Sequence, residues 1–321
     1  MKRIVLPLLL AAAAMAASAA GFRDPLDQPA QASRLAPKAS LSAVARVGAG
    51  LVVAGSRGHV LRSDDEGRTW QQASVPVSSD LVALSFPDAL HGWAVGHDAV
   101  ILASSDGGKS WQRQFDGRQL GPQGAESPLL DVWFDDASRG WAVGAFGQIL
   151  STGDGGKTWT GLPAAQSDNP KALHLYAVRR IAGSLYLAGE QGLLLRWDDK
   201  AQRFAALSQP YAGTLFGITG DGGLLLIHGL RGHALRSVDG GRSWEPVATG
   251  LQVGLTGSAR TAEGHWLLAS QAGHVLLSRD EGRSFQPLKL QRPLPISGLA
   301  TVGQRGLLLV GPRGLQTQNL P

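Results

Sequence analysis

Cysteine is missing from all 321 residues. That absence excludes a disulfide framework, a thiolate metal site, a cysteine nucleophile and a sulfur-linked lipid anchor. Tyrosine occurs only as Tyr176, Tyr186 and Tyr211, so few phenols are on offer as nucleophiles. Net charge is also scarce. The formal +5 falls to +3 once Lys2 and Arg3 are set aside, which is too little to imply nucleic-acid binding. Beyond the first 20 residues no apolar run approaches the roughly 20 residues that a membrane helix needs.

Residues 1–20 read as a signal peptide. Lys2 and Arg3 form a basic start, Ile4 to Ala17 an apolar stretch, and Ala17-Ser18-Ala19 a small-residue cleavage pattern. An exported protein, periplasmic or in a thylakoid-lumen-like space, is expected. The remaining chain of about 300 residues suffices for one large core.

What is present is glycine, 43 of them, and repetition. Arg139 to Trp159 (RGWAVGAFGQILSTGDGGKTW) and His91 to Trp111 (HGWAVGHDAVILASSDGGKSW) are nearly the same sentence, and five weaker copies surround them. A closing aromatic falls at Trp70, Trp111, Trp159, Phe204, Trp244 and Phe285, at spacings of 41, 48, 45, 40 and 41. A G-x-x-G marker precedes it in most units, and returns once more as Gly311 to Gly314. Seven units of this period, each with four short strands, predict an all-β, seven-bladed propeller.

In the third unit the strands are expected at Leu129 to Phe134, Gly140 to Val143, Gln148 to Thr152 and Trp159 to Leu162. Blades are placed at about 41–78, 79–116, 128–163, 172–208, 213–249, 253–290 and 295–321. The seventh lacks a fourth strand before Pro321. Residues 21–40, in particular a part of Asp24 to Arg34, are expected to supply it and close the ring, covering an exposed sheet edge.

The most specific motif is S/T-x-D-x-G-x-T/S-W/F. It occurs around Asp65, Asp106, Asp154, Asp239 and Asp280, and degenerates in unit four to Trp197, Asp199, Ala201, Arg203 and Phe204. Aspartate accepts the backbone N–H groups of its turn, glycine permits φ > 0, and the aromatic buries between blades. This is similar to the Asp-box, or bacterial neuraminidase repeat, which implies a structural role. Five identical acidic turns spread round a ring do not converge on one substrate.

Phe86 to Gly96 and Phe134 to Gly144 share F-x-D-x-x-x-G-W-A-V-G, each followed by an Asp-box. The chain therefore resembles the photosystem II stability and assembly factor family. The resemblance implies an exported, non-enzymatic scaffold without a cofactor, binding membrane-protein assembly intermediates through an arginine-lined face. It does not imply a small-molecule substrate or nucleic acid, and a monomer is expected.

In such a blade the loops between the second and third strands share a face with the loops between blades. Arg57, Arg231 and Arg313 occupy equivalent positions there, with Arg292 in the loop before blade seven. They are candidate partner-binding residues, a guanidinium patch for carboxylates or phosphates; solvated loop arginines are the plain alternative. The inserted loops Asp116 to Ser127 and Pro163 to Lys171 would add contacts on that face. Arg68, Lys109, Lys157, Arg242 and Arg283 ring the opposite face and read as solvated. His59, His233 and His274 start the third strands of three blades. Strand spacing of about 4.8 Å sets them roughly 10 Å or more apart, too far for one zinc ion, so no metal is expected.

The rival is a sialidase-type propeller that binds or cleaves glycans. Phe22-Arg23-Asp24-Pro25 faintly echoes the start of such enzymes. A glutamate–tyrosine pair near the axis would favour it.

Overall fold

The structure, a computed structural model, describes residues 23–121, 124 and 127–320. The signal-peptide reading, Phe22 and part of the Asp116 to Ser127 loop lie outside them. The described chain folds as seven antiparallel sheets in sequence order, six of four strands and one of three. Strands are lettered A to D from the axis outwards. In blade three they are Leu129–Phe134, Gly140–Gly144, Ile149–Thr152 and Thr160–Gly161, so the repeat read from sequence is the blade.

Two-period patterning explains the layers. The B strands are buried on both faces because neighbouring blades cover them: Gly50–Gly55 and Gly92–Gly96 are buried throughout. The D strands are short and largely exposed, as outer edges should be. Apolar clusters fill the spaces between blades. Trp93 of blade two stacks on Phe134 of blade three at 3.5 Å, their planes within 6°.

The Asp-boxes form the C–D turns. At Asp239 the carboxylate accepts the Ser237 hydroxyl (2.8 Å), the Ser243 N–H (2.9 Å) and the Ser243 hydroxyl (2.7 Å). Ser237 Oγ accepts the Gly241 N–H, and Trp244 Nε1 donates to the Gly241 carbonyl. The hydroxyl and then the N–H of Thr69 hold the Asp65 carboxyl at about 2, and Ser243 depresses Asp239 further. The acidic residues are thus consumed by their own turns.

Those turns also join blades. Gln114 Nε2 of blade two donates to the Gly155 carbonyl of the next turn (2.8 Å), Tyr186 Oη to Gly240 (3.3 Å) and Arg236 Nε to Glu281 (2.7 Å). Arg236, whose side chain is only 4% exposed, also lies 3.5 Å from the Glu281 carboxylate. Arg236→Met is expected to lower the unfolding free energy by about 1–3 kcal/mol through this lost charge-assisted bond. A urea midpoint equal to the wild type's would remove the latch from the account of ring stability.

Ring closure departs from expectation. Blade seven is a sheet of three strands, Gly298–Val302, Gly306–Gly311 and Gly314–Asn319, and residues 23–40 form no strand. They run instead along blade one. Ser33 N–H donates to Gln72 Oε1, Gln72 Nε2 to the Gln31 carbonyl, and Ala30 N–H to Val75. Leu26 is buried among Val75, Val77 and Trp111, between blades one and two. Only Ala36 to Lys38 reach blade seven, where Ala36 packs near Leu315. Burying Leu26 draws the segment away from the open edge. Side chains of that edge strand instead hold the loop before blade seven: Gln316 Nε2 donates to the Arg292 carbonyl (2.8 Å) and Gln318 Oε1 accepts the Gln291 N–H (3.3 Å). The ring itself closes by packing of Leu41 and Val44 of blade one against Ala300, Leu308 and Val310 of blade seven.

Candidate functional site on the loop face and channel mouth

The B–C connections are one short device used five times. Strand B ends on glycine, a single 3₁₀ turn follows, and its middle residue is left-handed. These residues are Arg57 (φ 57°), Asp98 (59°), Phe146 (55°), Gln191 (51°) and Arg231 (56°). For a residue with a Cβ this conformation costs roughly 1–2 kcal/mol, whereas glycine adopts it freely. A side chain at each of these five positions is therefore carried against a backbone preference.

All four arginines named from the sequence are exposed. None is paired with a carboxylate among the described residues; the contact of Arg57 with Asp80 Oδ1 is through its backbone N–H, at 2.8 Å. Blade order sets Arg231 on blade five, Arg292 in the loop between six and seven, Arg313 on seven and Arg57 on one. The cations of the opposite face are exposed too, and Arg242 is tied to its own Asp-box through the Asp239 carbonyl.

Across the ring from Arg313 the same face is aromatic. Phe146, 61% exposed, lies 5.0 Å from His174; His174 lies 6.5 Å from Tyr176, and Tyr176 meets Phe216 edge-on at 5.4 Å. This band descends from a blade-three turn into the central channel, a cavity of about 250 Å³ lined by the inner strands. Below the mouth Asp131 of blade three accepts the Val178 N–H (2.8 Å) and the Arg179 guanidinium, both from blade four. Burial pushes the Asp131 carboxyl up against the pull of Arg179. His228 of blade five is buried, donates Nδ1–H to the Leu255 carbonyl (3.0 Å), and is lowered to about 4 by burial, with Arg179 adding to the effect. Opposite its ring sits Gly217, where a Cβ would come within 2.4 Å of His228 Nε2.

The three histidines flagged by sequence go separate ways. His59 is buried and burial lowers its pKa, His233 stacks on Tyr211 at 4.1 Å, and His274 Nδ1 meets Ser270 Oγ at 3.0 Å. Among the described residues no three acidic or histidine side chains are grouped to hold a metal. Tyr176 does stand near Glu190, but burial first, and that carboxylate second, raise its pKa. Glu190 Oε2 is engaged with the His174 N–H (2.9 Å), and the one arginine lining the channel, Arg179, is bound to Asp131.

A model of the photosynthesis system II assembly factor YCF48 family, built on these repeats, matches residues 62–124 and 122–285, well over half of the sequence. The chain belongs to this family. Among YCF48 relatives, the photosystem II assembly protein Ycf48 of Synechococcus sp. (strain JA-3-3Ab) is 44% identical over 45 residues, 13% of this chain and 14% of that one. The photosystem II assembly lipoprotein Ycf48 of Prochlorococcus marinus (strain MIT 9313) is 40% identical over 45 residues, 14% and 13% of the two chains. These matches thus span about one seventh of the relatives' length.

The fold likeness is broader. A structure of YCF48 bound to D1 peptide superposes with a TM-score of 0.71 at 18% identity, covering 88% of this chain and 94% of that one. YCF48 from Cyanidioschyzon merolae gives 0.69 at 18%, covering 88% and 96%. Of the four arginines only Arg231 falls inside the YCF48 family match. Sequence reading missed the aromatic band and the Asp131–Arg179–His228 group, whose members are brought together from separate blades.

No helix among the described residues is long and apolar enough to cross a membrane.

Proposed function

We propose that this YCF48-family protein is an exported, non-enzymatic scaffold that binds a membrane-protein complex or its assembly intermediate through the B–C loop face. The observation that carries this reading is the set of left-handed turns. Arg57, Phe146 and Arg231 stand where glycine would relieve strain, and the arginines have no carboxylate of their own. A partner that supplies carboxylates to the arginines and an apolar side chain to the Phe146–Phe216 band fits that arrangement. That a YCF48 structure of similar fold is bound to D1 peptide supports a polypeptide as the occupant. One ring carries the whole face, so a monomer is the working unit.

The sialidase-type reading has Tyr176 beside Glu190 in its favour. The raised tyrosine pKa works against nucleophilic attack, and the single channel arginine is already neutralised.

Affinity purification from cell envelopes tests the proposal. The Arg57→Glu/Arg313→Glu protein is expected to lose most co-purifying membrane protein while melting within a few degrees of wild type. Arg231→Gly should be as stable as wild type or about 1 kcal/mol more so, from relieved strain, yet bind more weakly. Co-purification unchanged in both variants would remove the arginine face from the mechanism.

A further inference from the structure

Blade four keeps its four strands but loses the Asp-box, and that loss opens a second site on the opposite side of the molecule. Each intact Asp-box after the first lays its turn on the preceding blade: Gly108 faces Val52, Gly156 faces Gln114, Gly241 faces Leu207 and Gly282 faces Leu226. In blade four Trp197, Ala201 and Arg203 replace the serine, glycine and hydroxyl positions. Strands Leu194–Asp198 and Arg203–Ala206 are joined by a plain hairpin, in which Asp198 Oδ1 accepts the N–H groups of Lys200 (2.9 Å) and Ala201 (3.1 Å). This turn is satisfied within its own blade. A cleft of about 890 Å³ remains between blades three and four, a volume within the roughly 300–1,000 Å³ usual for ligand pockets.

Three indoles wall it: Trp133, Trp141 and Trp197. Polar contacts flank two of them. Arg180 Nε contacts both Asp135 oxygens at 2.8 Å, its Nη1 donates to the Gly183 carbonyl, and its guanidinium lies 4.9 Å from the Trp141 ring centre. Trp133 Nε1 donates to Asp135 Oδ1 (2.9 Å). The indole N–H groups of Trp141 and Trp197, by contrast, bond to no described residue.

The electrostatics narrow the ligand. Arg180 is neutralised by Asp135 and Arg139 by Asp136 (3.0 Å), so neither is free for an anion. The guanidinium already on Trp141 occupies the ring face that a cationic ligand would take. A wholly apolar ligand would strip water from the exposed Asp199 and Gln202 at the rim without replacing its hydrogen bonds. What remains is a neutral molecule with apolar C–H faces for the indoles and hydroxyls that both donate and accept. We infer that the cleft between blades three and four binds a neutral oligosaccharide, with no bond made or broken. This site is independent of the arginine face.

Titration calorimetry of the full chain with cellotriose, chitotriose and maltotriose at millimolar concentrations tests it. At least one should bind, and binding should weaken about tenfold or more in Trp197→Ala, which loses an aromatic wall. Ser151→Phe, at a partly exposed position on the cleft wall, should abolish binding by filling the space without removing a core side chain. Arg57→Glu/Arg313→Glu should bind as wild type does. Absence of binding by all three sugars would overturn the proposal, and so would binding unaffected by a folded Ser151→Phe protein. Preferential binding of choline or benzoate, included as charged probes, would overturn the assignment to a neutral ligand.

Discussion

Asp131→Ala is expected to lower the unfolding free energy by about 2–3 kcal/mol, the cost of orphaning a buried donor and leaving the half-buried Arg179 without its carboxylate. Asp131, its side chain 7% exposed, is the only link among the described polar contacts that ties the inner strand of blade three to both the backbone and a side chain of blade four. Its removal leaves the Val178 N–H buried without an acceptor. It also leaves the Arg179 charge at the channel wall beside Trp133, 5.7 Å from the ring centre, with the Val178 carbonyl (2.6 Å) as its remaining partner. The double variant Asp131→Leu/Arg179→Met should recover much of the loss, because it removes both charges and supplies apolar volume. Urea unfolding with an unchanged slope is the measurement. A single variant within about 1 kcal/mol of wild type would mean that the pair is not the tie it is taken to be.

The second large effect concerns acid. His228 has its pKa lowered from 6.5 to about 4 by burial, so the unfolded chain takes up this proton first. The stability that follows from keeping the ring neutral is complete above pH ~6.5 and is lost as pH falls towards about 4, by about 3 kcal/mol at about 1.4 kcal/mol per pH unit. Asp131 works the other way. Its raised pKa means that the folded chain is protonated before the unfolded one, which favours folding as acid is added. The comparison that isolates the histidine is therefore His228→Gln, whose amide can still donate to the Leu255 carbonyl. Its melting temperature should fall less than the wild type's between pH 6.5 and 4. Parallel pH profiles would show that the ring does not titrate in this window. Below that range the Asp-box carboxylates take over. Asp65, held at about 2, loses its contribution as pH falls through the interval below 3.8, the carboxylate being the stabilising form.

Much of the ring is legible in the chain because its causes are local. An Asp-box closes on itself within eight residues, so Ser63, Asp65, Gly67 and Thr69 announce their hydrogen bonds by spacing alone. The same holds for the left-handed B–C turns, which the G-x-x-G marker flags without showing that the middle residue carries the strain. The strap over blade one is different. Leu26 is a lone apolar residue in a segment without alternation, and its burial depends on a space between blades one and two that no local pattern encodes. The cleft is different again. Sequence shows that the box at Trp197 to Phe204 is broken, but not that the break leaves room beside Trp133 and Trp141, because that room belongs to two blades at once.

By itself the sequence determined the number of blades, their strand order and the turn-closing hydrogen bonds of five aspartates, since each follows from contacts within one repeat. Only the tertiary structure decided what the ends of the chain cover, which charges meet in the channel and where the wall of the ring is open. Those outcomes depend on which surface each blade finds beside it, and residues 48 or more positions apart on separate blades, such as Asp131, Arg179 and His228, carry no mark of that meeting.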